Sequence, residues 1–315
     1  MANNNASKLV QNGRSKKQTR NLLNWLYSKK IAPYVFVAPF IISFCIFFAY
    51  PVFSAIMMSF QEVLPGMVSF IGFENYSKLW NPTFLKAILN SLKYTVLTII
   101  ILIPVPLMLA VFLNSKLMVA KDFFRSTLFI PALTSVVVAG TIFRLAFGEL
   151  EGSLMNSFII SLGFEQQRWL GNASTAMATL VILASWRWIG INILYFMAGL
   201  QNIPKSLYES AQIDGATKWS QFIHITLPLL KPITVYVLTI SIYGGLSMFT
   251  ESYMLWNGNR SPNDIGLTII GYLYRNGLEQ NNMGLGSAVG IVLLGLTFII
   301  TLTQLKLVGM FRKED

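Results

Sequence analysis

The sequence predicts an all-α polytopic membrane protein of six transmembrane helices with both termini on the cytoplasmic side. Three observations carry this prediction. Charged residues make up only 12% of the 315 and apolar residues 54%. A soluble protein usually carries about 25% charged residues, and with half as many it could not cover its surface. The charges are also unevenly spread, leaving charge-free runs at residues 31–61, 94–115, 126–143, 169–186, 188–204, 232–250 and 280–305. Finally, the runs are continuously apolar. Residues 95–110, for example, read TVLTIIILIPVPLMLA, without the two-residue alternation of a membrane β-barrel strand. A helix is the other structure that satisfies its own backbone in lipid.

A helix needs about 20 residues to cross roughly 30 Å of hydrocarbon. The runs place spans at about 31–59, 88–114, 124–147, 175–200, 231–256 and 284–309, counting the two runs around Arg187 as one helix. Seven Lys and Arg and no acidic residue precede the first span, which sets the N-terminus inside. The other inside segments are then 115–123, 201–230 and 310–315, holding Lys116, Lys121, Lys205, Lys218, Arg312 and Lys313. The outside loops, about 60–87, 148–174 and 257–283, hold most of the acids. The organisation expected is a basic tail 1–30, a six-helix domain 31–310 and a short tail 311–315. Residues 21–27 (NLLNWLY) are suited to lie flat on the inner leaflet. The basic stretch and the first apolar run are both too long for a signal peptide, so the first helix reads as retained.

Composition excludes several function classes. The single cysteine, Cys45, lies in an apolar run, so no intrachain disulfide is open to the chain. One histidine, His224, leaves no material for a His or Cys metal cluster, and no metal site is expected. It also leaves a membrane hydrolase without a base beside a nucleophile. No G-x-x-x-x-G-K-[ST] loop is present to cradle nucleotide phosphates. The net charge of +11 is read as positive-inside bias rather than as a nucleic-acid surface. The chain is therefore not expected to be an enzyme.

Three charges fall in or near spans. Arg187 is mid-helix between Trp186 and Trp188, Glu251 is near the outer end of the fifth span, and Arg144 is near the outer end of the third. Such groups normally face a bundle interior or a water-filled cavity. Arg144 is read as snorkelling. Arg187 has two readings, a group on a solute path or a clamp bonded to backbone carbonyls or to Glu251. Trp186, Arg187, Tyr195, Tyr243, Glu251 and Tyr253 are the candidate path residues, since aromatic faces suit sugar rings. Trp188 is read as packing and Trp256 as part of an interfacial aromatic belt. Pro104, Pro106 and Gly244-Gly245 permit kinks or close helix approach.

The loop 201–230 is the most informative segment. It reads as two short helices. Ser206 with Glu209 forms an expected capping box, and Gly215-Ala216 breaks the first helix. Trp219, Phe222, Ile223 and Leu227 place an apolar stripe on the second. Glu209-Ser210-Ala211, then Gly215 after three residues, then Ile225-Thr-Leu227-Pro228 after nine more, resembles the EAA loop of permease subunits of binding-protein-dependent ABC importers. The departure is Ser210 for the middle alanine of the pattern. The resemblance extends along nearly the whole chain. It includes residues 32–39, 70–76, Phe129-Ile-Pro131 and Trp186-Arg187, which are similar to the sugar permeases of that family. Residues 27–30, 246–253 and 271–274 are similar to members handling arabino-oligosaccharides in Gram-positive bacilli. Residues 256–262 replace the Thr-x-Gly-Gly-Pro turn usual in the family.

The resemblance implies a type I ABC importer permease (MetI-like) fold in a bacterial cytoplasmic membrane and a role in sugar or oligosaccharide import. The coupling residues carried over are Glu209, Ser210, Ala211, Asp214, Gly215, Ile225, Leu227 and Pro228. The implied partners are a second, related permease subunit in a heterodimer, a dimer of ATPase subunits on the cytoplasmic side and an extracellular solute-binding protein. ATP and Mg would then bind the partner ATPase and no cofactor this chain. A stand-alone secondary transporter or channel is the rival reading. It would usually show an internal repeat, and none is apparent between the first three and last three spans.

Overall fold

The computed structural model describes residues 29–115 and 118–309. The basic segment 1–28 with its suggested interfacial helix, residues 116–117 and the tail 310–315 lie outside the described residues. The chain divides into two compact units, Met1–Met57 and Met58–Asp315.

Helix α1 (Ala32–Ser59), which lies in the first unit up to Met57, starts on Pro33, whose missing N–H is not needed in a first turn. Phe40, Phe44 and Phe48, four residues apart, stack at 6.4 and 5.1 Å between ring centroids. Cys45–Ala49 widens into a π turn two residues ahead of Pro51. The wider turn moves aside the carbonyl that the proline ring would otherwise strike.

The second unit opens with a hairpin, β1 (Gln61–Leu64) and β2 (Met67–Phe70), antiparallel with Val63 opposite Val68. Gly66 supplies the left-handed turn at φ +80°. Helix α2 (Glu74–Lys78) follows. Its Lys78 ammonium lies 2.9 Å from Glu74, and that bond raises the lysine pKa. Asn75 is buried and donates to the Ser59 and Gln61 carbonyls at 3.0 and 2.9 Å, pinning the hairpin. The loop 60–87 is thus an ordered cap.

The second span combines α3 (Pro82–Leu102) and α4 (Pro104–Asn114), with the break at Ile103. Asn81 caps α3 by accepting from the Phe84 N–H at 2.9 Å. Pro106 has no N–H to offer the Leu102 carbonyl one turn back. Asn192 of a neighbouring span fills that role, its buried amide donating to the Leu102 carbonyl at 2.9 Å. An unsatisfied carbonyl at membrane depth would cost several kcal/mol, so this bond explains both the break and the buried asparagine.

The third expected span, 124–147, is corrected. It is two helices, α5 (Lys121–Leu133) and α6 (Val136–Ala146), bent by 94° at residues 134–135. Pro131 removes a bond in the last turn of α5, and Thr134 and Ser135 turn extended. The short helix α7 (Leu154–Ser161) then follows. Asn156, fully buried, donates to the Gly148, Leu150 and Gln167 carbonyls and accepts from Trp169 Nε1 at 2.9 Å. The fourth span, α8 (Ala173–Gln201), is unbroken over 29 residues.

After it come α9 (Lys205–Ile213) and α10 (Lys218–Leu229), then α11 (Lys231–Leu246), which bends from α10 by 63° between Pro228 and Pro232. The fifth expected span, 231–256, is also corrected. Helix α11 ends at Leu246, Ser247–Phe249 break it, and α12 (Thr250–Leu255) follows. Helix α13 (Ile269–Leu273) runs into a π turn at Tyr274–Glu279, and α14 (Met283–Leu307) closes the unit. Trp256, expected in an aromatic belt, is half-buried against the chain's own residues. Its ring packs on Gly266 and its N–H donates to the Leu170 carbonyl at 3.0 Å.

Among the described residues, four helices are long and apolar enough to cross a membrane, and the number reaches six when each of the two bent pairs is counted as one span. Three apolar cores hold this unit together. One gathers Leu107, Phe196, Leu200, Leu230 and Val237 at the end carrying α9. A second gathers Phe84, Leu267, Tyr272 and Val289 at the opposite end. The third, between them, centres on Leu180, Leu183, Ala184, Met248 and Leu255. Two glycines bring backbones into contact. A Cβ on Gly190 would overlap the Leu128 carbonyl, and one on Gly245 would lie 2.9 Å from Thr95 Cα.

Candidate functional site

Two features stand out, an exposed face on the loop 201–230 and a cavity at the two helix breaks. The loop is built on α9. The capping box is corrected here. Pro204, not Ser206, is the N-cap, and Ser206 is already helical. Pro204 holds ψ at 129° and the chain turns helical immediately after it, so the start shifts ahead of Ser206. The end of α9 is as expected and has a clear cause. Gly215 takes φ +78°, its N–H donates to the Gln212 carbonyl at 3.1 Å, and the Ala216 N–H reaches back to Ala211 at 2.8 Å. These are the two bonds of a Schellman cap, which favours glycine at this position.

One face of α9 is anchored. The Tyr208 hydroxyl bonds Thr226 Oγ1 at 2.8 Å and the ring packs on the core, with Ala211 one turn on. The other face is free of the chain's own packing. Glu209 and Ser210 are exposed, Leu207 is 43% exposed and Ile213 87%. Glu209 and Ile213, four residues apart, share a helix face. Asp214 and Gly215 are exposed beside them.

Helix α10 begins with Thr217, which caps the Ser220 N–H at 3.2 Å. A π turn at Phe222–Thr226 precedes Pro228 by two residues, as in α1. The expected apolar stripe divides. Phe222 and Ile225 pack on the core, while Trp219 (64%), Ile223 and Leu227 are exposed, and Pro228 is exposed beside them. His224 is a surface residue bonded to the Ser220 carbonyl at 3.0 Å. The loop therefore presents a rigid pair of helices with an acidic and apolar outer face.

The cavity, of about 390 Å³, lies between α3, α8 and α11, where α11 breaks. Tyr94, Trp188, Asn192, Tyr243, Ser247 and Glu251 are among its lining residues. Of the candidate path residues, Tyr243 and Glu251 line it. Arg187 stands behind Glu251, its Nη1 3.2 Å from Glu251 Oε1, with both side chains nearly buried at 12% and 13% exposure. Its Nη2 donates to the Thr134 carbonyl at 3.4 Å and its guanidinium lies 5.6 Å from the centre of the Trp188 ring.

The other candidates lie elsewhere. Trp186 packs on Phe143 at 5.6 Å, and Tyr195 meets Tyr236 edge-on at 5.2 Å. Tyr253 clusters with Phe249 and Tyr274 at 5.3 and 5.6 Å. Trp186 and Trp188 are two residues apart on a helix and so point in opposite directions, about 200° apart. Trp188 takes the cavity side. Asn192, one turn further along α8, is a lining residue that sequence reasoning missed, as are Tyr94 and Ser247. The signal for Asn192 was a lone asparagine in an apolar helix, opposite a proline-bearing one.

Comparison with known proteins bears directly on this arrangement. Residues 83–309 match the family described as binding-protein-dependent transport system inner membrane component. The chain belongs to that family. The permease is 61% identical over 288 residues to the arabinooligosaccharides transport system permease protein AraP of Bacillus subtilis, covering 91% of this chain and 92% of that one. It is 50% identical to the protein of the same name from Halalkalibacterium halodurans, over 95% and 94% of the two chains. Its fold matches a chain of a bacterial ABC transporter involved in import of the acidic polysaccharide alginate. The TM-score is 0.79, with 24% identity, over 95% of the permease and 100% of that chain. The permease thus has the MetI-like fold and is a multi-pass membrane protein of bacteria.

Proposed function

We propose that this chain is a transmembrane permease subunit of an ABC importer, and that it moves arabino-oligosaccharides across the cytoplasmic membrane. The observation that carries the reading is the α9–α10 loop. It holds Glu209, Gly215, Ile225 and Pro228 at the spacing of an EAA loop, on a rigid helix pair whose outer face has no partner within the described residues. The relatives named for arabinooligosaccharide transport suggest the solute.

In this reading both termini and residues 201–230 are cytoplasmic, and 31–310 form the permease domain. Leu207, Glu209, Ser210, Ile213, Asp214 and Gly215 dock into a groove on an ATPase subunit, and Ile225, Leu227 and Pro228 carry the motion to α11. ATP and Mg belong to that ATPase dimer, so this chain catalyses no reaction and needs no cofactor. A second, related permease completes the path, and a solute-binding protein delivers sugar from outside.

The part of the path on this chain is the cavity at the helix breaks. Trp188 and Tyr243 offer ring faces, and Ser247 and Glu251 offer hydrogen bonds to sugar hydroxyls. Arg187 neutralises Glu251, leaving a wall suited to an uncharged solute. Tyr253 and its aromatic neighbours lie nearer the outer mouth.

The test is uptake of labelled arabinotriose by the host. Deleting the gene should remove uptake, supplying it in trans should restore it, and glucose uptake should not change. Arabinotriose uptake that persists at the wild-type rate overturns the assignment.

A further inference from the structure

We propose that Arg187 is a positioning residue that ties the break in the third span to the break in the fifth beside the cavity, acting as a two-armed bridge and not as a solute contact. Each arm ends at a helix break. Nη2 donates to the carbonyl of Thr134, the residue at which α5 stops before the 94° bend. The last carbonyls of a helix have no partner within it, and at membrane depth such a group must find one elsewhere. Nη1 donates to Glu251, the second residue of α12, just past the break in α11. The partners are 53 and 64 residues away in sequence. The guanidinium itself sits on α8, which has no break. One continuous helix therefore holds two discontinuous ones.

The chemistry of the side chain fits this task. A guanidinium is a planar fork that can serve two acceptors in different directions, while an ammonium is a compact point charge on a flexible stem. Left facing lipid, the charge would be costly. Here it is paired with a carboxylate, 12% exposed, and set over the Trp188 ring. Glu251 and Trp188 line the cavity, but Arg187 is the residue that fixes where both stand. Its effect on transport then runs through them.

The proposal rests on the transport reading for its rate measurement only, and a second measurement stands without it. The protein is the assembled complex with its partner permease, ATPase and binding protein, in lipid nanodiscs and proteoliposomes. Arg187→Lys keeps the charge and one bond but cannot reach both acceptors. The expected result is a maximal uptake rate at least tenfold lower, with apparent solute affinity within twofold of wild type. Amide exchange should quicken at both residues 130–138 and 247–252. Glu251→Gln keeps an acceptor for Nη1, so both segments should stay protected in that variant.

An apparent affinity weakened tenfold at an unchanged rate would make Arg187 a solute contact and overturn the proposal. So would wild-type rate and exchange in Arg187→Lys, since charge alone would then suffice. If Arg187→Lys does not assemble, Glu251→Gln decides. Quickened exchange at both segments in Glu251→Gln would show that the ion pair's charge, not the bridge, holds the breaks, and would overturn the proposal.

Discussion

Glu209→Lys is expected to abolish solute uptake, by a hundredfold or more, while the chain still reaches the membrane at its normal level. Glu209 is exposed on α9. The contacts holding α9 to the rest of the unit are made by Tyr208, which packs and bonds on the opposite face. An exposed substitution away from such contacts usually changes stability by no more than about 0.5 kcal/mol, so folding has little to lose. A partner docked on that face has much to lose. Truncating one member of a buried interfacial charge pair costs about 2–5 kcal/mol or more, and reversing the charge adds repulsion. Co-purification separates the causes. The ATPase subunits should be lost from the variant while the second permease subunit stays. Unchanged uptake, or loss of the chain from the membrane, would contradict a coupling role for this face. Gly215→Ala should act in the same direction but more weakly. A left-handed backbone costs a non-glycine residue about 1–2 kcal/mol, and here it would loosen the cap that ends α9.

Gly190→Val should remove the protein from the membrane, and Gly244→Ala should not. Both glycines lie in apolar spans, and sequence alone does not tell them apart. The structure does. A Cβ on Gly190 would overlap the backbone carbonyl of Leu128 and lie 2.9 Å from Phe129 Cα, neither of which can move without shifting α5. Overpacking usually costs about 1–3 kcal/mol and sometimes more, and a clash with backbone belongs at the upper end. A Cβ on Gly244 would meet nothing within 4 Å. There alanine should favour the helix by about 0.8–1 kcal/mol. Membrane abundance and thermal aggregation in detergent measure both. Equal abundance of the two variants would contradict the close approach of α5 and α8.

Some ends of the spans were legible in the sequence because charge marks where a helix leaves lipid, but the second span, expected from 88, begins at Pro82 and carries Lys86 and Lys93. The fourth and sixth spans, expected at 175–200 and 284–309, are Ala173–Gln201 and Met283–Leu307. The breaks were not legible, because Thr134, Ser135 and Ser247 are uncharged and leave hydropathy intact. Pro131 and the Gly244-Gly245 pair were the available signals, and a proline or glycine in a span does not by itself say whether the chain kinks or stops. Gly245 serves close approach to Thr95, and Gly244 does not.

The side of α8 that faces the cavity was hidden for a different reason. That helix is apolar nearly all round, so its pattern does not fix its rotation, and Trp186 and Trp188 could be assigned only by their neighbours. Arg187 could be recognised as interior from the cost of exposing its charge. Of its two partners, Glu251 was named as an option, but a backbone carbonyl such as that of Thr134 leaves no mark in sequence. The α9 loop was the most legible part because its cap has one chemical solution, and that solution requires Gly215. Its start was misread because Ser206 and Glu209 have capping-box spacing, whereas the helix begins at Lys205, with Pro204 as the N-cap.

In the proposed function this chain couples solute movement to ATP hydrolysis on another subunit and moves nothing alone. The direct measurement is arabinotriose accumulation in proteoliposomes, with the chain reconstituted alone and then with the second permease, the ATPase and the solute-binding protein. Accumulation is expected only in the complete set with ATP supplied on the ATPase side, and it should stop when the ATPase is omitted. Accumulation by the single chain, with or without ATP, would contradict the account.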